Sequence, residues 1–427
     1  MILTLTSEKN TVIGYSTLGK PVTVEFIGDK ESKMRIFIIA GQHGDEKYSK
    51  KAVEKLSSHL KQRSNHPFYV AILMDANPDG YESNTRENSK SIDLNRDHIM
   101  LQSNETVAVH SFVQDWMPKI IIDVHNYPPR RKHLLKKHLI LSHDIFVDIP
   151  TNPAILPILD DKQIDELFTE LKSDLRSKGF SCERYTIFQK SGKIRHSTID
   201  IKDARNSLSL RYDLFCIILE GREPLKKDGS DGEARTVSSQ YDALYSIINW
   251  VEKNKMGFKK NTHIPKKNEL VPIRARYRDS NDILKMDLKN SKTKKTSEIH
   301  LKKYSPNIEI TQFIEMPEGY VVPNSLTALL EVLKKHGFSH DSKTNIQKQV
   351  EIYYLKDSAT LDKTPKKSLK KKIKIISMSG YVIFPIAQLG GRFLALLLEP
   401  RSKFGLHRFP ELKLSFSENL EYPILRI

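Results

Sequence analysis

The stretch Arg35-Ile36-Phe37-Ile38-Ile39-Ala40-Gly41-Gln42-His43-Gly44-Asp45-Glu46 runs from an unbroken apolar segment straight into a glycine-flanked polar turn. An apolar run of strand length without polar alternation indicates a strand covered on both faces. Three further segments repeat that character: Tyr69-Val70-Ala71-Ile72-Leu73, Ile120-Ile121-Ile122-Asp123-Val124 and Phe215-Cys216-Ile217-Ile218-Leu219. Helical patterns lie between and after them, at Lys47 to Lys61 with Ala52, Val53, Leu56 and Leu60 at helical spacing, at Glu105 to Trp116 and at Val237 to Val251. Val22 to Ile27 adds a short strand pattern. Asn77-Pro78-Asp79-Gly80 is a turn signal. Buried strands alternating with helices predict an α/β fold whose sheet carries helices on both faces. In such sheets ligand crevices open at the C-terminal ends of the strands, which is where the polar residues of this chain gather.

This pattern occupies residues 1–255, and a length of 427 residues exceeds what one core needs. From Lys253 to Lys267 the composition shifts to a polar, basic linker. Beyond it, short alternating patterns at Ile308 to Phe313, Val350 to Leu355, Ile373 to Met378 and Arg392 to Leu398 predict strands, with one helix from Leu326 to Lys335 among them. Residues 256–427 are therefore expected to form a β-rich accessory region of one or two small modules.

The formal net charge of +17 is densest at Lys289 to Lys303 and Lys363 to Lys374. Such runs serve either as solvated loops or as a surface drawn to a polyanion such as a cell wall, a membrane surface or nucleic acid. No apolar run approaches the length needed to cross a bilayer. The start, Met1-Ile2-Leu3-Thr4, lacks the basic and apolar segments of a secretory signal. The expectation is a cytoplasmic protein as written, or a periplasmic or secreted one if the sequence is a mature form. With Cys182 and Cys216 the only cysteines, neither a disulfide framework nor a thiolate metal site is supported. Metal chemistry must run through histidines and carboxylates.

Four features carry that chemistry. His43 and Glu46 are three residues apart just past a strand, so both can turn towards one point, and imidazole plus carboxylate suits zinc. His125, in Asp123-Val124-His125 at another strand end, supplies a third ligand. Thr85-Arg86-Glu87-Asn88 and Ser91-Ile92-Asp93-Leu94-Asn95-Arg96-Asp97 place two arginines around a polar turn. Arginine offers a bidentate fork for a carboxylate and a fixed charge for an oxyanion, unless these are surface ion pairs. Asp93 could instead accept the free ring N–H of a metal-bound histidine. Glu220 directly follows the apolar strand ending at Leu219; it is either a general base beside a metal-activated water or the partner of Arg222 or Arg205.

In that order, His43-x-x-Glu46, Arg86, Asn95-Arg96, His125 and Glu220 resemble the active-site series of the zinc carboxypeptidase family related to carboxypeptidase A. Asn77-Pro78-Asp79-Gly80, Thr85-Arg86-x-Asn88 and Asp93-Leu94-Asn95-Arg96-Asp97 resemble its bacterial branches. The resemblance covers roughly residues 10 to 255 and implies a mixed sheet with helices on both faces. It also implies that His43, Glu46 and His125 bind zinc, that Arg86 assists the oxyanion, that Asn95 and Arg96 grip the terminal carboxylate, and that Glu220 is the general base. Glu318 to Pro323, Leu397 to Ser402 and Tyr422 to Arg426 resemble accessory domains appended to some bacterial members. One departure concerns the tyrosine that family enzymes often carry on a loop upstream of the catalytic glutamate, because His196, Ser197 and Thr198 stand there instead. Asp203-Ala204-Arg205-Asn206 fills part of that space, with Arg205 an expected extra substrate contact. The basic loop Tyr127 to Lys137 could do likewise, with a solvated loop as the favoured reading.

The leading expectation is a zinc metallocarboxypeptidase that hydrolyses a C-terminal peptide bond, with murein-type stem peptides as attractive substrates. A zinc-dependent deacylase of N-acyl amino acids, similar to aspartoacylase and succinylglutamate desuccinylase, would use the same triad and Asn-Arg pair. A basic binding protein on a catalytically retired fold is the alternative outside enzymes, and the filled catalytic positions argue against it.

Overall fold

The computed structural model describes residues 10–189, 191–254, 262–342, 346–355, 369–414 and 421–427. The start of the chain, residues 255–261 of the basic linker and the first part of the 363–374 basic run lie outside the described residues.

An eight-stranded sheet forms the frame, in the order Asn10–Tyr15, Pro21–Gly28, Tyr69–Leu73, Arg35–Ala40, Ile120–Tyr127, Phe215–Arg222, Ile145–Asp148 and Cys182–Arg184. The four middle strands are mutually parallel, and antiparallel pairings flank them on both sides. The sheet is therefore mixed. Alternate side chains take opposite faces, as a strand's two-residue period requires. Ile36, Ile38, Ile122, Val124, Ile217 and Leu219 pack with the helices Lys47–Gln62, Asp161–Ser177 and Gly229–Asn254. Phe37, Ile39, Ile121 and Cys216 face the helices Asn104–Trp116 and Ala204–Tyr212. Both faces are thus covered, in agreement with the unbroken apolar runs. Each fully buried branched side chain there contributes about 1.5–3 kcal/mol, so this core rigidly holds the strand ends that carry the polar residues.

Three further sheets follow. Leu270–Tyr277 pairs with Ile308–Glu315. A five-stranded sheet runs Leu369–Ser377, Gln347–Leu355, Leu425–Arg426, Gly319–Pro323 and Tyr381–Pro385. The remaining one mixes early and late sequence, because Leu139–Leu141 pairs with Asp282–Asn290, and Ile194–His196 with Thr296–Ser305. One apolar cluster likewise joins Ile99, Ile199 and Leu210 to Val271, Leu333 and Phe393. The helix expected over Leu326 to Lys335 is present as Thr327–Lys335.

Arg392 to Leu398, expected as a strand, is instead part of the helix Gly391–Leu398. Its sequence, Gly-Arg-Phe-Leu-Ala-Leu-Leu-Leu, has no β-branched residue and is rich in the strong helix formers Leu and Ala. Nearly all of it is buried, so no polar face marked its period. The amphipathic helix Asp161–Ser177, closed by an Asp160/Gln163 capping box, went unread in the sequence. Among the described residues no helix is long and apolar enough to cross a membrane.

Candidate active site

The parallel strands Arg35–Ala40, Ile120–Tyr127 and Phe215–Arg222 end side by side, and the site is built on those ends. His43 and Glu46 sit in the turn after the first. Gly41 takes φ +71°, a left-handed conformation that side chains disfavour. Gly44 lies so close to the Gly80–Tyr81 backbone that a Cβ would stand 2.0 Å from the Gly80 carbonyl carbon. Glu46 then stands at the N-cap position of the helix Lys47–Gln62, its side chain turned away from the helix end, and its Oε2 accepts the Asn126 N–H at 2.9 Å. His125 and Glu220 are direct partners across neighbouring strands, so both side chains share the sheet face of Asp123 and Ile218.

His43, Glu46 and His125 are, among the described residues, the group whose donor atoms gather, all within 4.8 Å of one another. His43 Nδ1 lies 2.6 Å from Glu46 Oε1, and His125 Nδ1 lies 3.0 Å from Glu46 Oε2. The two Nδ1 atoms are 3.2 Å apart. Donor atoms of a tetrahedral zinc site stand about 3.3 Å apart, so an ion would be taken up with only the short His43–Glu46 contact opening. The other ring nitrogens are backed by carboxylates, His43 Nε2 by Asp93 Oδ1 at 3.2 Å and His125 Nε2 by Asp123 Oδ1 at 2.9 Å. That is the arrangement that orients metal-binding imidazoles.

The electrostatics agree. Burial alone would lower both imidazoles, yet Glu46 beside His43, and Asp123 and Glu46 beside His125, raise them. Burial would raise Glu46, but the two imidazoles hold it well below the usual carboxylate range. A pocket that draws protons onto two buried rings draws a cation in their place.

A cavity of ≈ 270 Å³ opens over this group, and Arg86, Asn95, Arg96 and Glu220 line it with His43 and Glu46. Arg86 Nε donates to Asp93 Oδ2 at 3.0 Å, and its Nη1 lies 3.7 Å from Glu46 Oε1. Arg96 is exposed in the short helical turn Leu94–Arg96, and its Nη1 donates to the Asn95 carbonyl at 2.6 Å. Asn95 Nδ2 stands 3.0 Å from His125 Nε2, while its Oδ1 accepts the Ala204 N–H at 2.8 Å. Burial foremost, then Glu46, pushes the Glu220 carboxyl up to about 7, against the lowering effect of His125 and His43. Neither Arg222 nor Arg205 pairs with it: Arg222 reaches Asp228 at 3.8 Å, and Arg205 lies among Asp148, Asp203 and Thr198.

Arg205 is not among the residues lining the cavity. It is fully buried, donates to Ser197 Oγ and to the Thr198 carbonyl at 2.9 Å, and stands 3.5 Å from Asp148. Ser197 and Thr198 do line the cavity, so Arg205 holds that wall from behind. Tyr185 and Arg131 line it as well. Arg131 belongs to the basic loop considered from sequence, whereas nothing in the sequence singled out Tyr185. Tyr185 is carried in by its N–H bond to the Val147 carbonyl at the edge of the sheet, a pairing that sequence does not reveal.

Comparison with known proteins matches residues 8–128 to the zinc carboxypeptidase family model. Carboxypeptidase 2 of Trichophyton tonsurans is 25% identical over 190 residues, 42% of this chain and 35% of that protein. Murein peptide amidase A of Vibrio campbellii is 36% identical over 86 residues, 20% of this chain and 33% of that protein. Both matches therefore span about a third of the relative's length. A metallo-carboxypeptidase structure from Pseudomonas aeruginosa aligns at a TM-score of 0.44 and 19% identity, over 58% of this chain and 65% of that one. The matched residues include His43, Glu46, Arg86, Asn95, Arg96 and His125, while Glu220 lies beyond them. Over residues 8–128 the chain is similar to the zinc carboxypeptidase family.

Proposed function

We propose that this chain is a zinc-dependent metallocarboxypeptidase that hydrolyses the C-terminal peptide bond of a short peptide, with murein-type stem peptides as its substrate class. One observation carries the reading: two imidazole Nδ1 atoms and one carboxylate converge at parallel strand ends beside the buried Glu220. Two neutral imidazoles and a carboxylate form a donor set that suits zinc, with His43, Glu46 and His125 as the ligands. Zinc there would polarise the scissile carbonyl and acidify a water at its open position.

The chain's own groups do the rest. Glu220, with a carboxyl near neutral pKa, takes the proton of the attacking water and then delivers it to the departing amine. Arg86, braced by Asp93, supplies a fixed positive charge for the oxygen of the scissile carbonyl as it gains charge. Arg96, without a carboxylate within 4 Å among the described residues, and Asn95 take the substrate's terminal carboxylate, which makes the enzyme an exopeptidase. In this reading residues 1–255 carry the chemistry and residues 256–427 brace the cleft, while the lysine-rich runs suit contact with an anionic wall. A wall substrate would place the working protein outside the cytoplasm. The murein assignment draws on the 36% identity to a protein named for a murein peptide.

The test is zinc content together with release of C-terminal residues from synthetic peptides, for the wild type and Glu220→Gln. One zinc per chain in both, with release only by the wild type, supports the reading. Zinc binding with cleavage of acyl amino acids but no peptide makes the chain a deacylase. Failure to bind zinc removes the enzyme reading.

A further inference from the structure

Behind His125 the structure holds a line of buried polar side chains that the chemistry above does not use. Asp123 is fully buried, and its Oδ1 accepts a hydrogen bond from Gln42 Nε2 at 2.7 Å. Gln42 Oε1 lies 2.9 Å from His98 Nε2, and His98 Nδ1 lies 3.1 Å from His110 Nε2. His110 Nδ1 stands 3.2 Å from the Tyr212 hydroxyl. All of these side chains are buried, from Gln42 at 3% exposure to His110 at 0%. The far end closes against the C-terminal region: the His110 ring packs edge-on against His336 at 5.3 Å, and Arg211 Nε donates to the His336 carbonyl at 2.8 Å.

Resting on the zinc reading of the site, we propose that Gln42, His98 and His110 are positioning residues, a neutral hydrogen-bond relay that points Asp123 at His125 and so sets how tightly the site holds zinc. The direction of the chain follows from its ends. The Asp123 carboxylate can only accept, so the Gln42 amide nitrogen faces it and the Gln42 oxygen faces His98. His98 must then carry a proton on Nε2. The Tyr212 hydroxyl also reaches the His110 carbonyl at 3.1 Å, so His110 either accepts at Nδ1 and donates from Nε2 to a neutral His98, or donates from Nδ1 and accepts at Nε2 from a charged His98. Of these two arrangements the neutral one, with His98 protonated on Nε2 alone, is the one that buries no charge. Burial favours it, lowering His98 to about 4 and His110 well below its ordinary value.

The relay has a purpose that packing alone does not explain. Among the described residues Oδ2 of Asp123 has no hydrogen-bond partner, so Oδ1 is the atom that ties this buried carboxylate to its surroundings. Without the Gln42 bond, its orientation towards His125 would be set by His125 itself.

Two measurements test the proposal. Zinc affinity is read by chelator competition in wild type, His98→Leu and His98→Gln. Leucine fills the ring's space without a donor, whereas the glutamine amide nitrogen can reach the place of Nε2. A loss of about tenfold or more in His98→Leu, largely restored in His98→Gln, is expected, within the range for groups that orient metal ligands. Folded His98→Leu with wild-type zinc affinity would overturn the relay. If His98→Leu does not fold, nitrogen-15 spectra of the wild-type imidazoles decide. His98 is expected neutral with its proton on Nε2 at neutral pH, and a charged ring or the other tautomer removes the proposal. The spectra need no bound zinc, so failure of the zinc reading and failure of the relay are separate results.

Discussion

The Nδ1 atoms of His43 and His125 stand 3.2 Å apart, and a different aspartate backs each ring, Asp93 behind His43 and Asp123 behind His125. Two imidazole lone pairs aimed at one point repel unless a proton or cation lies between them. With Glu46 closing the third side, a divalent ion satisfies all three groups together.

His43→Ala, Glu46→Gln and His125→Ala should each lose stoichiometric zinc, as read by metal analysis after dialysis. Asp93→Asn should keep zinc but bind it about 10–100-fold more weakly, because His43 loses the carboxylate that orients it. Equal affinity in Asp93→Asn would mean that His43 is positioned by packing alone.

Glu220→Gln should retain zinc and lower kcat by about 10²–10⁴-fold. The wild type should show an acid limb in kcat/KM. In the proposed role Glu220 would work as a base only when ionised, and burial raises its carboxyl to about 7, so activity should rise with pH up to that region and fall below it. A bound cation favours the anion and moves the limb downward from there. A pH profile flat from 5 to 8 would assign the proton transfer elsewhere.

Arg96→Ala should raise KM for every peptide with a free C-terminus, and amidating that terminus should produce a similar loss in the wild type. Arg131 lines the same cavity and has no ion-pair partner within 4 Å among the described residues. Arg131→Ala should therefore raise KM mainly for substrates that carry a second carboxylate near the scissile bond. The same increase for neutral and acidic substrates would make Arg131 a general wall residue.

Arg205→Ala should act on stability before it acts on substrate. Removing a fully buried guanidinium takes the ion-pair partner from Asp203 and leaves Asp148 with Arg184 alone, at a cost of about 3 kcal/mol, visible as a lower Tm. An unchanged Tm with a raised KM would return Arg205 to substrate contact.

By itself the sequence determined the strand frame and the residues at the strand ends. The apolar runs at 35–40, 69–73, 120–124 and 215–219 and the spacing of His43 and Glu46 are local signals, because burial on both faces and a three-residue turn are written in consecutive side chains. Only the tertiary structure decided what stands behind those residues. Gln42, Asp123 and His98 come together across the sheet, Tyr185 enters just past a strand added at its edge, and Arg205 turns away from the cavity towards Asp148. Arg392 to Leu398 is helical, as its Leu and Ala content favours, but burial of nearly all its residues left no polar period to read. Contacts between residues far apart in the chain depend on strand order and helix placement, and no local pattern encodes either.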